Sequence, residues 1–181
     1  MHGHGIVHRH LQPENIQCSQ QSETDSDDGW SDDDDDHDKT GNIPTLKVSD
    51  FSHARSVKGA YSVSGMCGAP GYVAPEILRG EMYGAPVDVW AVGVITYVLL
   101  CGYPPFFHDN VAEMHQLIIS ADFEFDPTYW GEISDAAKAF IRRMLCASPT
   151  RRATASALLQ DKWIVGKNVS SRHLATVQQQ L

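Results

Sequence analysis

The stretch from Val87 to Leu100 constrains the fold more than any other, because apart from Asp88, Gly93 and Thr96 every residue in it is apolar. A helix that is hydrophobic all round has to be enclosed by the rest of its chain. The run stops at Gly102 and the Pro104-Pro105 pair, short of the ~20 apolar residues that a bilayer span needs, and it contains Asp88. It is read as a buried core helix, and no membrane partner is expected.

Around it the second half of the chain reads as helical. Asn110 is placed to cap a helix to Ser120. Ser134 caps another, with Asp135 at its positive end and Ala137, Phe140, Ile141, Met144 and Leu145 recurring on one face, opposite Lys138, Arg142 and Arg143. A short helix from Thr154 to Leu159 leads to Trp163. A weak amphipathic pattern (Val169, Leu174, Val177, Leu181) closes the chain. Near the start, Glu14 to Gln17 begins a short strand and Leu46-Lys47-Val48 alternates like another. A loop rich in Gly, Ser and Pro runs from Ser52 to Pro75.

Composition separates two regions. The net charge of -9 is local, since Glu23 and the nine aspartates between Asp25 and Asp38 supply -10 and the remainder sums to about +1. Residues 18–45 are too polar to bury themselves and are expected to be a disordered acidic insert. No basic face or zinc-finger spacing is present, so nucleic acid is not an expected partner. The cysteines Cys18, Cys67, Cys101 and Cys146 are scattered, with no C-x-x-C pair and no secretory leader ahead of them, which fits a cytoplasmic or nuclear setting.

The motifs are more specific. His8-Arg9-His10-Leu11-Gln12-Pro13-Glu14-Asn15 resembles the protein-kinase catalytic loop H-R-D-L-K-P-E-N at six of eight positions. Asp50-Phe51-Ser52 follows a short strand as D-F-G does. Cys67-Gly68-Ala69-Pro70-Gly71-Tyr72-Val73-Ala74-Pro75-Glu76 resembles the peptide-docking loop and A-P-E element, and Asp88-Val89-Trp90 the start of the central helix. Cys101-Gly102-Tyr103-Pro104-Pro105-Phe106 and Arg152 complete the order, which chance does not supply. These details, with Phe123-Glu124-Phe125-Asp126, look most like the calcium/calmodulin-dependent group of the eukaryotic serine/threonine protein kinases.

The resemblance implies a mainly α fold: the large C-terminal lobe of a kinase, with a short β-hairpin at the catalytic loop and no small β lobe. Residues 1–165 would form this partial domain, and 166–181 a tail where the group's regulatory segment begins. Asp50 and Asn15 stand at the family's magnesium positions. Glu76 is expected to pair with Arg152 beneath the docking loop (Gly68, Ala69, Pro70, Gly71, Tyr72), and Asp88 to tether the backbone near His8 and Arg9.

Turnover chemistry is another matter. His10 stands where the family's aspartate accepts the substrate proton, and Gln12 where a lysine steadies the transferring phosphate. Ala69 replaces the threonine that bonds to that pair, and Ser52 the D-F-G glycine. No residue matches the glycine-rich loop or the V-A-I-K lysine, and Met1 lies seven residues before His8. The expectation is a catalytically inactive, kinase-like protein acting by protein binding through its docking loop, the helix near Asn110 and its acidic insert. The alternative is a fragment of an ATP-dependent protein serine/threonine kinase. Mg-ATP is the family's cofactor and none is expected here. Starting after the helix that precedes the catalytic loop, the chain is expected to leave Val89, Val92, Ile95 and Val98 partly uncovered.

Simpler readings cover the remaining signals. The H-R-x-L match accounts for two of His2, His4, His8 and His10, so they are not read as a metal cluster. The run Asp32 to Asp36 lacks the glycine turn and terminal glutamate of a calcium loop. Ser22, Thr24 and Ser31, each followed three residues on by aspartate, resemble acidophilic phosphorylation sites. Gly65 replaces the expected activation-loop threonine, and no basic amphipathic helix supports calmodulin binding.

Overall fold

The computed structural model describes residues 1–19, 45–59 and 61–166. In chain order its strands are β1 (Ile6–Val7), β2 (Ile16–Ser19), β3 (Thr45–Val48) and β4 (Arg55–Ser56). Its helices are α1 (Pro75–Leu78), α2 (Pro86–Cys101), α3 (Val111–Ser120), α4 (Pro127–Trp130), α5 (Asp135–Met144), α6 (Ala155–Leu158) and α7 (Lys162–Val165). The strands form two antiparallel ribbons, β1 with β4 (Ile6 opposite Ser56) and β2 with β3 (Ile16 opposite Val48, Ser19 opposite Thr45). The fold is thus mainly helical, like a kinase large lobe.

Helix α2 is the axis of the core. Pro86 opens it at the position where its missing N–H costs nothing, and Gly102, at φ 86°, closes it in the left-handed conformation with its N–H donating to the Val98 carbonyl (2.8 Å). Helix α5 packs across it at Gly93, where an added Cβ would lie 2.8 Å from Met144 Cβ and 2.9 Å from Leu145 Cδ2. The aromatic half of the core surrounds Tyr97: Tyr103, Phe123, Phe125 and Trp130 all lie with ring centroids within 6.1 Å of it, and Trp90 stacks on Phe106. Burial pushes the Tyr97 phenol and the Cys101 thiol up from their ordinary values.

The helix starts follow the capping residues. The Asn110 side chain accepts from the Ala112 N–H (2.8 Å) and Ser134 Oγ from the Ala137 N–H (3.2 Å). Thr154 caps α6, as expected, and Asp126 caps α4, a further one-turn helix beyond those expected.

Two expectations change. The acidic insert was placed at residues 18–45, but Cys18, Ser19 and Thr45 belong to the paired ribbon β2–β3, whose ladder satisfies their backbone; 20–44 and the tail from 167 lie outside the described residues. On α2, Val89 and Ile95 are buried at 4% and 6% exposure, because Val89 faces the main core and Ile95 packs with Leu11, Ala91, Ile16 and Tyr72. The uncovered apolar residues are Val92 at 38% and Leu99 at 67%, with Val98 half-buried.

Candidate functional site

The site begins with a tether. Asp88, buried in the first turn of α2, accepts from the His8 N–H through Oδ2 and from the Arg9 N–H through Oδ1, both at 2.8 Å. His2, one of the four histidines not read as a metal cluster, adds a third contact from Nε2 to Oδ2 at 2.8 Å. These bonds fix Arg9 at φ 68°, a left-handed conformation that costs a non-glycine residue on the order of 1–3 kcal/mol unless its surroundings impose it. His8 supports the same loop from beneath: it is fully buried, its Nε2 bonds the Ser49 carbonyl (3.0 Å), and its Nδ1 accepts from the His10 N–H (3.3 Å).

Below the docking loop lies the second anchor. Arg152 NH1 and NH2 donate to the two carboxylate oxygens of Glu76 at 2.7 and 2.9 Å. Nε donates to the Cys146 carbonyl and NH1 also to that of Pro86, and the guanidinium lies over the Trp90 ring. Both partners are buried, and a fork-to-fork pair with its remaining donors satisfied is the form in which a buried ion pair survives desolvation.

The docking loop rests on these anchors. Gly68 has φ 108°, and a Cβ there would approach the Arg9 carbonyl oxygen to 3.1 Å, so only glycine lets the loop sit against the catalytic-loop backbone. Ala69 leads into a single 3-10 turn over Pro70, Gly71 and Tyr72 that packs on α2. Tyr72 is half-buried, and burial, helped by the Glu14 carboxylate, raises its phenol.

The upper face differs in kind. Asp50 is exposed and left-handed at φ 56°. Its Oδ1 accepts from the Ser52 hydroxyl at 2.5 Å, and its Oδ2 lies 3.1 Å from His10 Nδ1. The Ser52 hydroxyl, then the Ser52 N–H and His10, hold the Asp50 carboxyl below the usual carboxylate range. Buried Asn15 donates from Nδ2 to the His10 carbonyl at 2.8 Å, which leaves its amide oxygen as a donor atom. Gln12 ends the loop, its carbonyl accepting from the Asn15 N–H. An anionic carboxylate and an amide oxygen fit what magnesium takes from a protein when it keeps waters and phosphate oxygens for the rest. Ser52 and His10, however, both contact the carboxylate.

The comparisons agree with this arrangement. Residues 1–164 match the family model of the protein kinase domain. This chain belongs to the protein kinase domain family. It is 40% identical over 182 residues to a calcium/calmodulin-dependent protein kinase type 1 of Macrobrachium nipponense, covering 100% of this chain and 47% of the relative. It is 40% identical over 166 residues to the type 1 enzyme of Caenorhabditis elegans, covering 92% and 42%. Against the human type 1B enzyme it is 38% identical over 182 residues, covering 100% and 47%. The chain spans less than half the length of these relatives.

Within this kinase domain the fold brings His10, Asn15 and Asp50 together on one face and sets Gly68 to Tyr72 beside them, with Arg9, Glu76, Asp88 and Arg152 beneath. Other contacts escaped the sequence reading. Arg9 Nε donates to the His53 carbonyl (2.7 Å) and NH1 to Tyr83 Oη (3.1 Å), which in turn donates to the Gly65 carbonyl (2.8 Å). Arg9 thus ties the catalytic loop to the His53 turn and, through Tyr83, to the segment that precedes the docking loop. Cys67 Sγ lies 3.2 Å from His53 Nδ1. Nothing local marks Tyr83 or His53 in the sequence, since their partners are distant along the chain. Among the described residues no helix is long and apolar enough to cross a membrane.

Proposed function

We propose that this chain is part of an ATP-dependent protein serine/threonine kinase similar to the calcium/calmodulin-dependent type 1 enzymes, in which it supplies the lobe that receives the protein substrate. The observation that carries the reading is the docking loop, seated through Gly68 on the Arg9 carbonyl and underpinned by the Glu76–Arg152 pair. In the family, positioning and charge neutralisation do most of the work of phosphoryl transfer, and a loop held this firmly suits the first of those tasks. A protein partner is accordingly the proposed ligand, with α3 and the acidic segment as further contact surfaces and Mg-ATP as the family's phosphate donor.

Calorimetric titration with a panel of serine-containing peptides tests the docking role. Binding should occur, should survive His10→Ala and should be lost in Gly68→Val. Failure of every peptide to bind, or equal binding by Gly68→Val, would contradict it.

A second reading is favoured by one position. His10 occupies the place of the proton-accepting aspartate and contacts the Asp50 carboxylate, while Gln12 and Ala69 remove the lysine and threonine that complete the unit. Under this reading the chain docks proteins without phosphorylating them. A missing general base alone is worth about 10²–10⁴-fold in rate. Losing the lysine and its threonine partner as well should take transfer below detection in a labelled-phosphate assay.

A further inference from the structure

We propose that the loop between α2 and α3, with the first turn of α3 and helix α4, forms a docking face for a segment of another protein that carries basic and large apolar side chains together. The proposal deepens the reading of the chain as a lobe that receives a protein, and rests on that reading to this extent. Its residues are not those of the docking loop.

The first observation is apolar surface left in water. Phe106 is buried at 2% exposure and stacks on Trp90, while its neighbour Phe107 stands 70% exposed. Val111 opens α3 at 59% exposure, although Met114, Leu117 and Ile118 turn the apolar side of the same helix inward. Tyr129 on α4 is 52% exposed, and its ring meets that of Tyr103 edge to face at 5.1 Å, which joins α4 to the loop. Exposed apolar patches mark interaction surfaces, and aromatic residues are enriched at the centres of protein interfaces. The backbone that presents these side chains is fixed: His108 Nδ1 accepts from the Asn110 N–H (3.0 Å), and the Tyr97 hydroxyl donates to the Glu124 carbonyl (2.7 Å). A face held in place before its partner arrives loses less entropy on binding.

Charge names the partner. From Gly102 to Ala137 the sequence has seven Asp and Glu and no Lys or Arg. Asp109 and Glu113 are exposed on either side of Val111, and the N–H and hydroxyl of Thr128 hold the Asp126 carboxyl below the usual carboxylate range. The bordering cations are engaged elsewhere: Lys138 pairs with Asp135, Arg79 donates to the Ile119 carbonyl, and Arg142 lies over the Phe125 ring. An apolar centre with an uncompensated negative rim suits a segment whose basic residues flank apolar ones. A second copy related by a two-fold axis would set this rim against itself.

The test uses the full chain and two short fluorescein-labelled peptides read by anisotropy, one in which arginine alternates with leucine and one in which serine replaces the leucine. The arginine–leucine peptide should bind, and the arginine–serine peptide should bind about tenfold more weakly or worse. Phe107→Ala should weaken the first peptide by a similar factor, the size expected of a central aromatic contact. Asp109→Asn with Glu113→Gln should weaken it less and flatten its dependence on salt. Gly68→Val, which unseats the docking loop, should leave it unchanged, so failure of this face and failure of the docking-loop reading are told apart. Phe107 is exposed, so the unfolding transition of Phe107→Ala should match that of the intact chain. Equal binding of the two peptides would mean charge attraction alone, and binding unaltered in both Phe107→Ala and the neutralised variant would place the peptide elsewhere, as on the aspartates between Asp25 and Asp38. Either result would overturn the proposal, as would loss of binding in Gly68→Val or a dimer in sedimentation that Phe107→Ala dissolves.

Discussion

The two faces of the catalytic loop are built on opposite terms. Beneath it, Asp88, Glu76 and Arg152 are buried charges whose hydrogen bonds run to backbone groups, to each other or, for Asp88, also to His2. Above it, Asp50, Ser52, His53 and His10 meet at the surface through contacts that water can replace. The family's residues are retained below, whereas above Asp50 is retained but His10 and Ser52 stand where the family has aspartate and glycine. Groups that hold the backbone are enforced by the cost of unpaired burial, whereas groups that serve only chemistry can be exchanged with little effect on the fold.

That contrast makes graded predictions. Arg152→Ala, which strands Glu76 in the core, should destabilise the chain by about 3–5 kcal/mol in urea unfolding; a loss below about 1 kcal/mol would mean that the lower anchor is not structural. Asp88→Asn keeps the shape but removes the charge facing two backbone N–H groups, and should cost about 1.5–3 kcal/mol by the same measurement. It should also speed hydrogen exchange at His8 and Arg9.

On the upper face, His10→Ala should change stability by less than about 1 kcal/mol, as for an exposed pair; a larger loss would erase the distinction between the faces. Smallest of all, Ser52→Gly should raise the Asp50 carboxyl back toward the usual range, read by carbon nuclear magnetic resonance as a function of pH. The sign follows from linkage. A carboxyl held low in the folded state adds stability above its ordinary value, and loses it as pH falls through the lowered one. The variant should therefore lose a little of its advantage at neutral pH and be less sensitive to acid.

Much of this organisation is legible in the chain itself. An all-apolar helix ended by Gly102, the caps Asn110 and Ser134, and the spacing of Phe140, Ile141 and Met144 are local signals, and the structure places those helices within a residue or two of expectation. The partnership of Glu76 with Arg152 and of Asp88 with the His8–Arg9 backbone came from motif order alone.

What could not be read depends on three-dimensional proximity. Of the four α2 residues expected to be uncovered, Val92 is exposed and Val98 half-buried, whereas Val89 and Ile95 are enclosed and Leu99 is exposed instead, because a helix without a polar side gives no clue to which side is enclosed. The Arg9–Tyr83–Gly65 relay and the His53–Cys67 contact join residues whose neighbours in sequence carry no periodic signal.

On the second reading, in which the docking frame is kept while the transfer face is not, transfer of labelled phosphate from Mg-ATP to a serine-containing peptide is the deciding assay. The intact chain, shown to be folded by a cooperative unfolding transition, should give no more labelled peptide than Asp50→Ala. Label clearly above that control, depending on Asp50 and absent without Mg²⁺, would show that His10 and Gln12 leave the transfer chemistry working and would contradict the account.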